Sequence, residues 1–261
     1  LSSLVGSEMC IRDRYIITFL ITVSFATMAQ EPELEGYTSV YANYTFCKLN
    51  DGATFDDVRP FVGKYVENAN SFENEVDLAV LFPLYASDPE HDFFFVAHAD
   101  SREEMGAFND KMFQIFAQSE DNAMPPMDCD VELEAFQRVG PSSSDAAPQG
   151  RTIVNYWPCK YTRGFDRRAM REARRQAALK HYAAGAEGGY RYIMTNSGTD
   201  REQDVDFWFS TSAPSEAARG KNIDLWWSEI RNSDEWAEVR KHASCQDCLL
   251  YTSPSPRDSR V

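Results

Sequence analysis

Asp92-Phe93-Phe94-Phe95 and Asp206-Phe207-Trp208-Phe209 are two versions of one apolar strand motif, and they stand 114 residues apart. Further motifs recur in the same order at nearly the same offset: Thr45-Phe46-Cys47-Lys48 with Trp157-Pro158-Cys159-Lys160, Gly106 with Gly220, and Cys129 with Cys245. Any single match is weak. A shared order with a nearly constant offset indicates that the chain holds two copies of one domain.

Both copies carry the same predicted order of strands and helices. In the first, apolar runs and helical spacing predict strands Tyr41–Leu49, Leu78–Tyr85, Phe93–Ala97 and Val131–Val139, with helices over Phe55–Val66 and Met105–Phe116. In the second, the corresponding segments are strands Ile153–Tyr161, Tyr190–Thr195 and Val205–Thr211, helices Asp166–Ala184 and Ile223–Ile230, and a short extra helix Ser233–Ala243. The order β-α-β-β-α-β is that of the ferredoxin-like fold.

The inner strands are apolar on both faces, as in Phe93-Phe94-Phe95-Val96, whereas a sheet covered by helices on one side only would normally alternate. Two such sheets packed face to face, with helices outside, would explain this pattern. The arrangement resembles the dimeric α/β-barrel superfamily, here fused in tandem, over residues 37 to 247 at the level of element order. The predicted fold class is α+β, with two ferredoxin-like β-α-β-β-α-β repeats packed as a pseudo-dimeric α/β barrel that is monomeric as a chain.

The two ends of the chain do not read as native protein. Leu4–Asp13 and Cys248–Arg257 can be encoded by DNA segments that are reverse complements of one another, and that DNA resembles a transposase adapter. We therefore expect residues 1–14 and 248–261 to be translated adapter sequence, with the last strand of the second copy cut off after Cys245. The pattern around Met105-Gly106-Ala107 and Asp110 resembles uncharacterised exported proteins of marine bacteria, a resemblance that implies no activity.

The domain organisation begins with an export signal. Tyr15–Ala29 is an uncharged apolar run of signal-peptide length that ends in small residues, which predicts a periplasmic or secreted protein. Repeat 1 then covers residues 30–140 and repeat 2, truncated, covers residues 152–247. Pro141–Arg151 has linker composition and separates the two.

The charge balance excludes some partners. A net charge of −15 and a pI near 4.7 argue against nucleic acid, and against anionic membrane surfaces once the signal is cleaved, because both are polyanions.

Four cysteines lie outside the two adapter-like ends: Cys47, Cys129, Cys159 and Cys245. In an oxidising compartment such cysteines commonly form disulfides. Each repeat has one cysteine on its first strand and one before its last strand, and those strands are neighbours in a ferredoxin-like sheet. Bridges Cys47–Cys129 and Cys159–Cys245 are therefore favoured over pairing across the repeats or free buried thiols. No CxxC spacing exists among these four residues, which argues against a zinc site.

Aromatic residues are dense on the predicted inner strands, and alternate members should point between the sheets. If that space is not filled, it is an apolar pocket, with Phe94 and Trp208 as lining residues. Lys48 and Lys160, at equivalent strand ends, would anchor a polar group at its mouth. Ordinary core packing and snorkelling lysines are the alternative interpretations. Some superfamily members hold haem through a histidine, and His98 is the candidate that this resemblance implies.

No motif of an enzyme class accompanies these residues, such as GxSxG, a Walker loop or GxGxxG after a strand, and no catalytic residue is named. The favoured hypothesis is non-catalytic binding of a small apolar or aromatic molecule between the two sheets, without a cofactor. One alternative is an oxygenase-like or haem-dependent enzyme of the same superfamily. The other is a structural or interaction module that has no pocket.

Overall fold

The computed structural model describes residues 36–72, 76–85, 91–118, 125–143, 152–197, 204–246 and 249–253. Within these ranges the chain forms, in order, β1 (Thr38–Leu49), α1 (Phe55–Asn70), β2 (Asp77–Tyr85), β3 (Phe93–Ala99), α2 (Arg102–Gln118), β4 (Met127–Val139), β5 (Thr152–Tyr161), α3 (Arg167–Ala183), β6 (Gly189–Ser197), β7 (Phe207–Ala213), α4 (Glu216–Leu225), a π-helix (Trp226–Ile230), α5 (Asp234–His242), β8 (Ala243–Cys245) and β9 (Leu249–Ser253).

The strands form one antiparallel sheet that closes on itself. Their order is β7-β6-β4-β1-β3-β2-β9-β5-β8, and an additional pairing between β5 and β7 completes the ring. β8 and β9 lie one after the other along the same edge of β5, so the ring has eight strand positions. The predicted α+β class with an antiparallel barrel is confirmed, whereas the origin of the two β-α-β-β-α-β units by duplication stays a prediction.

Side chains fill the middle of the barrel. Alternate residues of the strands project inward, and they form one buried cluster that includes Tyr44 of β1, Phe94 of β3 and Ile193 of β6. A barrel of eight strands is just wide enough for side chains to fill. The space between the two halves of the sheet is therefore part of the hydrophobic core.

The outer layer of the first unit is also closely packed. Phe93 and Phe95 of β3 project outward against α1, where they meet the rings of Phe55 and Tyr65 at centroid distances of 5.8 and 4.8 Å. Helix α2 adds large inward side chains, Met105, Phe108 and Met112, each at most 5% exposed. Large residues on both helices thus cover the outer face of β3.

Both predicted disulfides are present in the structure. Cys47 of β1 is bonded to Cys129 of β4, and Cys159 of β5 is bonded to Cys245 of β8. Each bridge joins neighbouring strands, as the ferredoxin-like order requires. Cys47 and Cys159 are buried, so both bridges form part of the packed interior.

The structure describes part of only one of the two segments predicted to be adapter sequence. Residues 1–14 and the predicted signal peptide at 15–29 lie outside the described residues. Leu249–Ser253, where the sequence predicts a missing strand, forms β9 and pairs with both β2 and β5. Tyr251 and Thr252 are residue types that favour a strand. Among the described helices, none combines the length and the apolar character that a bilayer span requires.

Two glycines give a matched test of backbone constraint. Gly188, just before β6, has a φ of +112°, and a Cβ there would overlap the carbonyl oxygen of Ser212. Gly106 lies in α2, and a Cβ there would meet no atom within 4 Å. We expect Gly188→Ala to lower the free energy of unfolding by more than about 2 kcal/mol, and Gly106→Ala to raise it by about 0.5–1 kcal/mol. Urea denaturation of the two variants checks this, and equal effects would contradict it.

Candidate functional site

A cavity of about 760 Å³ lies outside the barrel, between the sheet of the second unit and its helices. Its floor is the outward face of β5, β6 and β7. The aromatic members of that face are Trp157, Tyr190, Tyr192, Phe207 and Phe209. The cavity is thus mainly apolar at its floor, with a small number of polar groups, which is typical of cofactor and ligand sites.

Small residues on the inner face of α3 leave this space open. The helix begins at Asp166, whose side chain accepts hydrogen bonds from the backbone N–H groups of Arg168 and Ala169. Its buried residues include Ala173 and Ala177, whereas α1, the first helix of the other unit, buries Val58 and Val62 and packs Phe55 and Tyr65 beside them. Because an alanine side chain ends at Cβ, the helix covers the sheet without filling the layer between them.

Three tryptophans cover the cavity on the side away from the sheet. Trp226 and Trp227 lie in the π-helix between α4 and α5, and Trp236 lies in α5. The ring of Trp226 meets those of Trp227 and Trp236 edge to face, at centroid distances of 5.1 and 5.7 Å. A π-helical turn shifts side chains off the α-helical register, and such turns occur frequently at functional sites.

Arg174 crosses the cavity from α3. Its guanidinium carbon lies 3.8 Å from the ring centroid of Phe209 on the sheet and 4.2 Å from that of Trp236 on α5. A cation–π contact contributes about 0.5–1 kcal/mol at an exposed site and about 2 kcal/mol or more when desolvated. Its buried Nε finds no hydrogen-bond partner among the described residues. Arg174 therefore connects floor and cover and brings a positive charge to the cavity.

His181 is the one imidazole among the described residues that line the cavity. It lies on α3, four residues after Ala177. Its Nε2 is 2.9 Å from the backbone oxygen of Asn222. A carbonyl can only accept, so Nε2 carries the proton and the lone pair is on Nδ1. Burial lowers the pKa of His181, which keeps the ring neutral.

Asn222, which orients His181, is itself fixed. Its side-chain oxygen accepts a hydrogen bond from the backbone N–H of Glu187 at 2.9 Å, and its side-chain nitrogen donates to the Glu187 carbonyl at 2.7 Å. The loop before β6 is thereby joined to α4, and the imidazole sits against a rigid partner.

The tyrosines of the cavity floor are uncharged. Burial is the largest effect on the pKa of Tyr190 and of Tyr192, and it raises both. The Tyr37 hydroxyl donates to the backbone oxygen of Arg171 at 2.7 Å, so the Tyr190 hydroxyl, 2.8 Å away, donates to Tyr37. These phenols stay protonated at neutral pH.

None of the residues predicted to bind a ligand lines this cavity. Phe94 and Trp208 belong to the packed interior of the barrel, and His98 lies at one end of that interior. Lys48 is exposed, and Lys160 forms an ion pair with Asp204 at the surface. The structure therefore does not bring the five predicted residues together.

A signal for His181 is present in the sequence. Ala173, Ala177 and His181 follow one another at intervals of four, so they share one face of α3. The first helix of the other unit, α1, instead carries Val58 and Val62 on its buried face, with Phe55 and Tyr65 packed beside them. The smaller side chains on α3 are a sequence signal for space beneath that helix.

Comparisons with known proteins identify the fold. No protein-family model matches the chain, and no curated protein sequence does. A mutant chlorite dismutase from Candidatus Nitrospira defluvii is similar in structure, with a TM-score of 0.50 and 13% identity over 84% of this chain and 93% of that one. A haem-binding protein from Thermus thermophilus has a TM-score of 0.50 and 10% identity over 86% and 95% of the two chains. At these identities the likeness shows a common fold.

Two expectations from the sequence are wrong. The favoured hypothesis was non-catalytic binding between the two sheets, but the solved structures of this fold include those of an enzyme and of a haem-binding protein. The same likeness overturns the expectation that no cofactor is involved. Side chains fill the space between the sheets, and the cavity lies instead under α3. Among the described residues no group of three or more His, Cys, Asp or Glu side chains is suited to a bare metal ion.

Two histidines give the protein a predictable response to acid. Burial is the largest effect on the pKa of His98 and of His181, and it lowers both. Below about pH 6.5 the unfolded chain therefore takes up protons that the folded chain does not. The free energy of unfolding should fall between about pH 7 and pH 5, and it should fall less in His98→Gln. Urea denaturation across this range checks it, and an unchanged slope in the variant would contradict it.

Proposed function

We propose that the protein is a haem-dependent redox protein that holds its cofactor in the cavity between α3 and the sheet, where the His181 imidazole would hold the iron. The supporting observation is a large aromatic cavity with one lining imidazole, in a fold shared with a haem-binding protein. The predicted duplication is part of this proposal. The second repeat has specialised for the cofactor, and the first has kept a packed layer.

The available donor atoms favour His181 as the ligand. A metal ligand must be deprotonated at the donor atom, and a neutral imidazole meets this condition at neutral pH. Cys159 and Cys245 also line the cavity, but their disulfide leaves no thiolate. The raised pKa of Tyr192 disfavours a tyrosinate. Metal-ligating histidines commonly donate their other ring N–H to a backbone carbonyl, as Nε2 of His181 does to Asn222.

Arginines at the cavity suit the two carboxylates of haem. Arg231 and Arg240 line the cavity from the cover side and are exposed. Neither makes an ion pair with a described residue. Arg231 is held in place by stacking on Trp227, with its guanidinium carbon 4.2 Å from the ring centroid. Arginine pairs readily with carboxylates through two parallel hydrogen bonds.

The residues present therefore fit haem in size, wall chemistry and donor atoms. When bound, haem supplies an iron that changes oxidation state and takes a small substrate as a ligand. The protein's own part is to hold the porphyrin between aromatic side chains. It also keeps the His181 imidazole neutral by burial and oriented by its hydrogen bond to Asn222. The aromatic floor would exclude water from the porphyrin face, and Arg174 places a positive charge in the cavity.

His181→Gly should remove the imidazole that would hold the iron and leave space for free imidazole. We expect the full-length wild-type protein to bind added haemin with a sharp, shifted Soret band. The variant should show a weaker and differently placed band, and added imidazole should restore the wild-type spectrum. His91→Gly, outside the cavity, is the matched control and should bind haemin as the wild type does. A wild-type protein without a Soret change, or a variant identical to it, would contradict the proposal.

Ala177→Phe should fill the cavity from α3. Because Ala177 is 2% exposed and lines the cavity, its replacement puts a ring where the porphyrin would lie. We expect loss of haemin binding without loss of thermal stability. Ala183→Phe places the same ring on the exposed side of α3 and should leave haemin binding unchanged. Unchanged haemin binding in Ala177→Phe would place the cofactor elsewhere.

A further inference from the structure

One end of the barrel interior is polar, and it is separate from the cavity under α3. Ile193 of β6 belongs to the interior core, so Arg191, two residues earlier, projects to the same side of the sheet. Four further residues lie around it: Tyr44, His98, Gln137 and Tyr156. We call Arg191 and these four residues the polar mouth. Tyr190 and Tyr192, on either side of Arg191, face the cavity on the opposite side of the sheet.

The guanidinium of Arg191 is held by a buried amide. Its Nη1 donates to the side-chain oxygen of Gln137 at 2.9 Å, and the Gln137 side-chain nitrogen donates to the Tyr44 hydroxyl at 2.7 Å. Gln137 is 0% exposed and Tyr44 is 4% exposed. This chain of hydrogen bonds fixes one edge of the guanidinium and leaves its other donors available.

No negative charge in the described part of the chain balances Arg191. The ion pairs of the described residues do not include it, and its side chain donates there to the neutral amide of Gln137. Asp77, opposite His98 in the strand register, is exposed and forms no ion pair with Arg191.

The surrounding titratable groups are neutral as well. Burial first and the Arg191 charge second lower the pKa of His98, so the imidazole is uncharged. Burial raises the pKa of Tyr44 to about 12 and that of Tyr156 well above its ordinary value, while Arg191 opposes both shifts. The guanidinium is therefore close to three uncharged groups.

A guanidinium that no negative charge in the described part of the chain balances favours the binding of an anion. Removing a charge from water is unfavourable unless a partner compensates it. Part of the Arg191 side chain remains accessible, so a small ion can reach it from the end of the barrel. A guanidinium is planar and presents parallel N–H groups that match two oxygens of one planar group. Ser210, the register partner of Arg191 on β7, adds a hydroxyl at the same level.

We propose that the polar mouth is a binding site for a small planar oxyanion or carboxylate, held by the free edge of the Arg191 guanidinium beside Tyr156 and Ser210. The proposal does not depend on haem, because it concerns the inner face of the sheet.

Formate and nitrate are suitable probes, since both are small and planar. We expect each to raise the melting temperature of the full-length protein along a saturating curve, as ligands of the folded state do. Ionic strength is kept constant with a buffer anion too bulky to enter the barrel. Arg191→Gln should lose the saturating effect. Arg138→Gln removes a charge from the neighbouring strand, where Arg138 lies over the ring of Phe136, and should retain it.

Arg191→Lys keeps the charge and loses the planar pair of donors, so it tests the site even if the Gln variant does not fold. We expect its apparent affinity for formate to be lower by about tenfold, or about 1.4 kcal/mol. The proposal is overturned by a wild type whose melting temperature shows no saturating response. It is equally overturned if Arg191→Lys binds formate as tightly as the wild type does.

Discussion

Closure of the sheet into a ring is the constraint on which the rest of the molecule depends. Once β5 pairs with β7, alternate side chains of every strand enter one enclosed space. A ring of eight positions has room for those side chains and little else. Phe94 and Ile193 belong to its apolar core, and Arg191 and Gln137 lie at one end. A large ligand therefore has to bind on the outer face, between sheet and helices.

The two units use that outer layer differently. In the first, Phe108 of α2 and Phe55 of α1 fill it, as an ordinary core requires. In the second, Ala173 and Ala177 leave it open, and the tryptophans of the π-helix and α5 cover it at a distance. A ligand with a large flat apolar surface could bury that surface against the aromatic floor and the tryptophans, which is why the difference between the units supports the proposed cofactor site.

Much of the fold could be predicted from the chain alone because strands and helices leave periodic patterns. The runs Phe93-Phe94-Phe95 and Phe207-Trp208-Phe209 indicated strands with both faces covered, and the cysteine positions indicated the bridges that the structure contains. The site was harder to predict, because apolar residues on the two faces of a strand look alike in sequence. Whether the outward face of a strand meets a packed layer or an open cavity depends on the distance between the sheet and the helices that cover it. That distance is set by alanines on α3 and by the π-helix, which no strand pattern reveals.

The most direct measurement is the crystal structure of the full-length protein after incubation with haemin. We predict porphyrin density between the aromatic face of β5–β7 and α3, with the His181 imidazole bonded to iron and the carboxylates toward Arg231 and Arg240. An empty cavity, or a porphyrin bound at the surface without a protein ligand, would contradict this prediction.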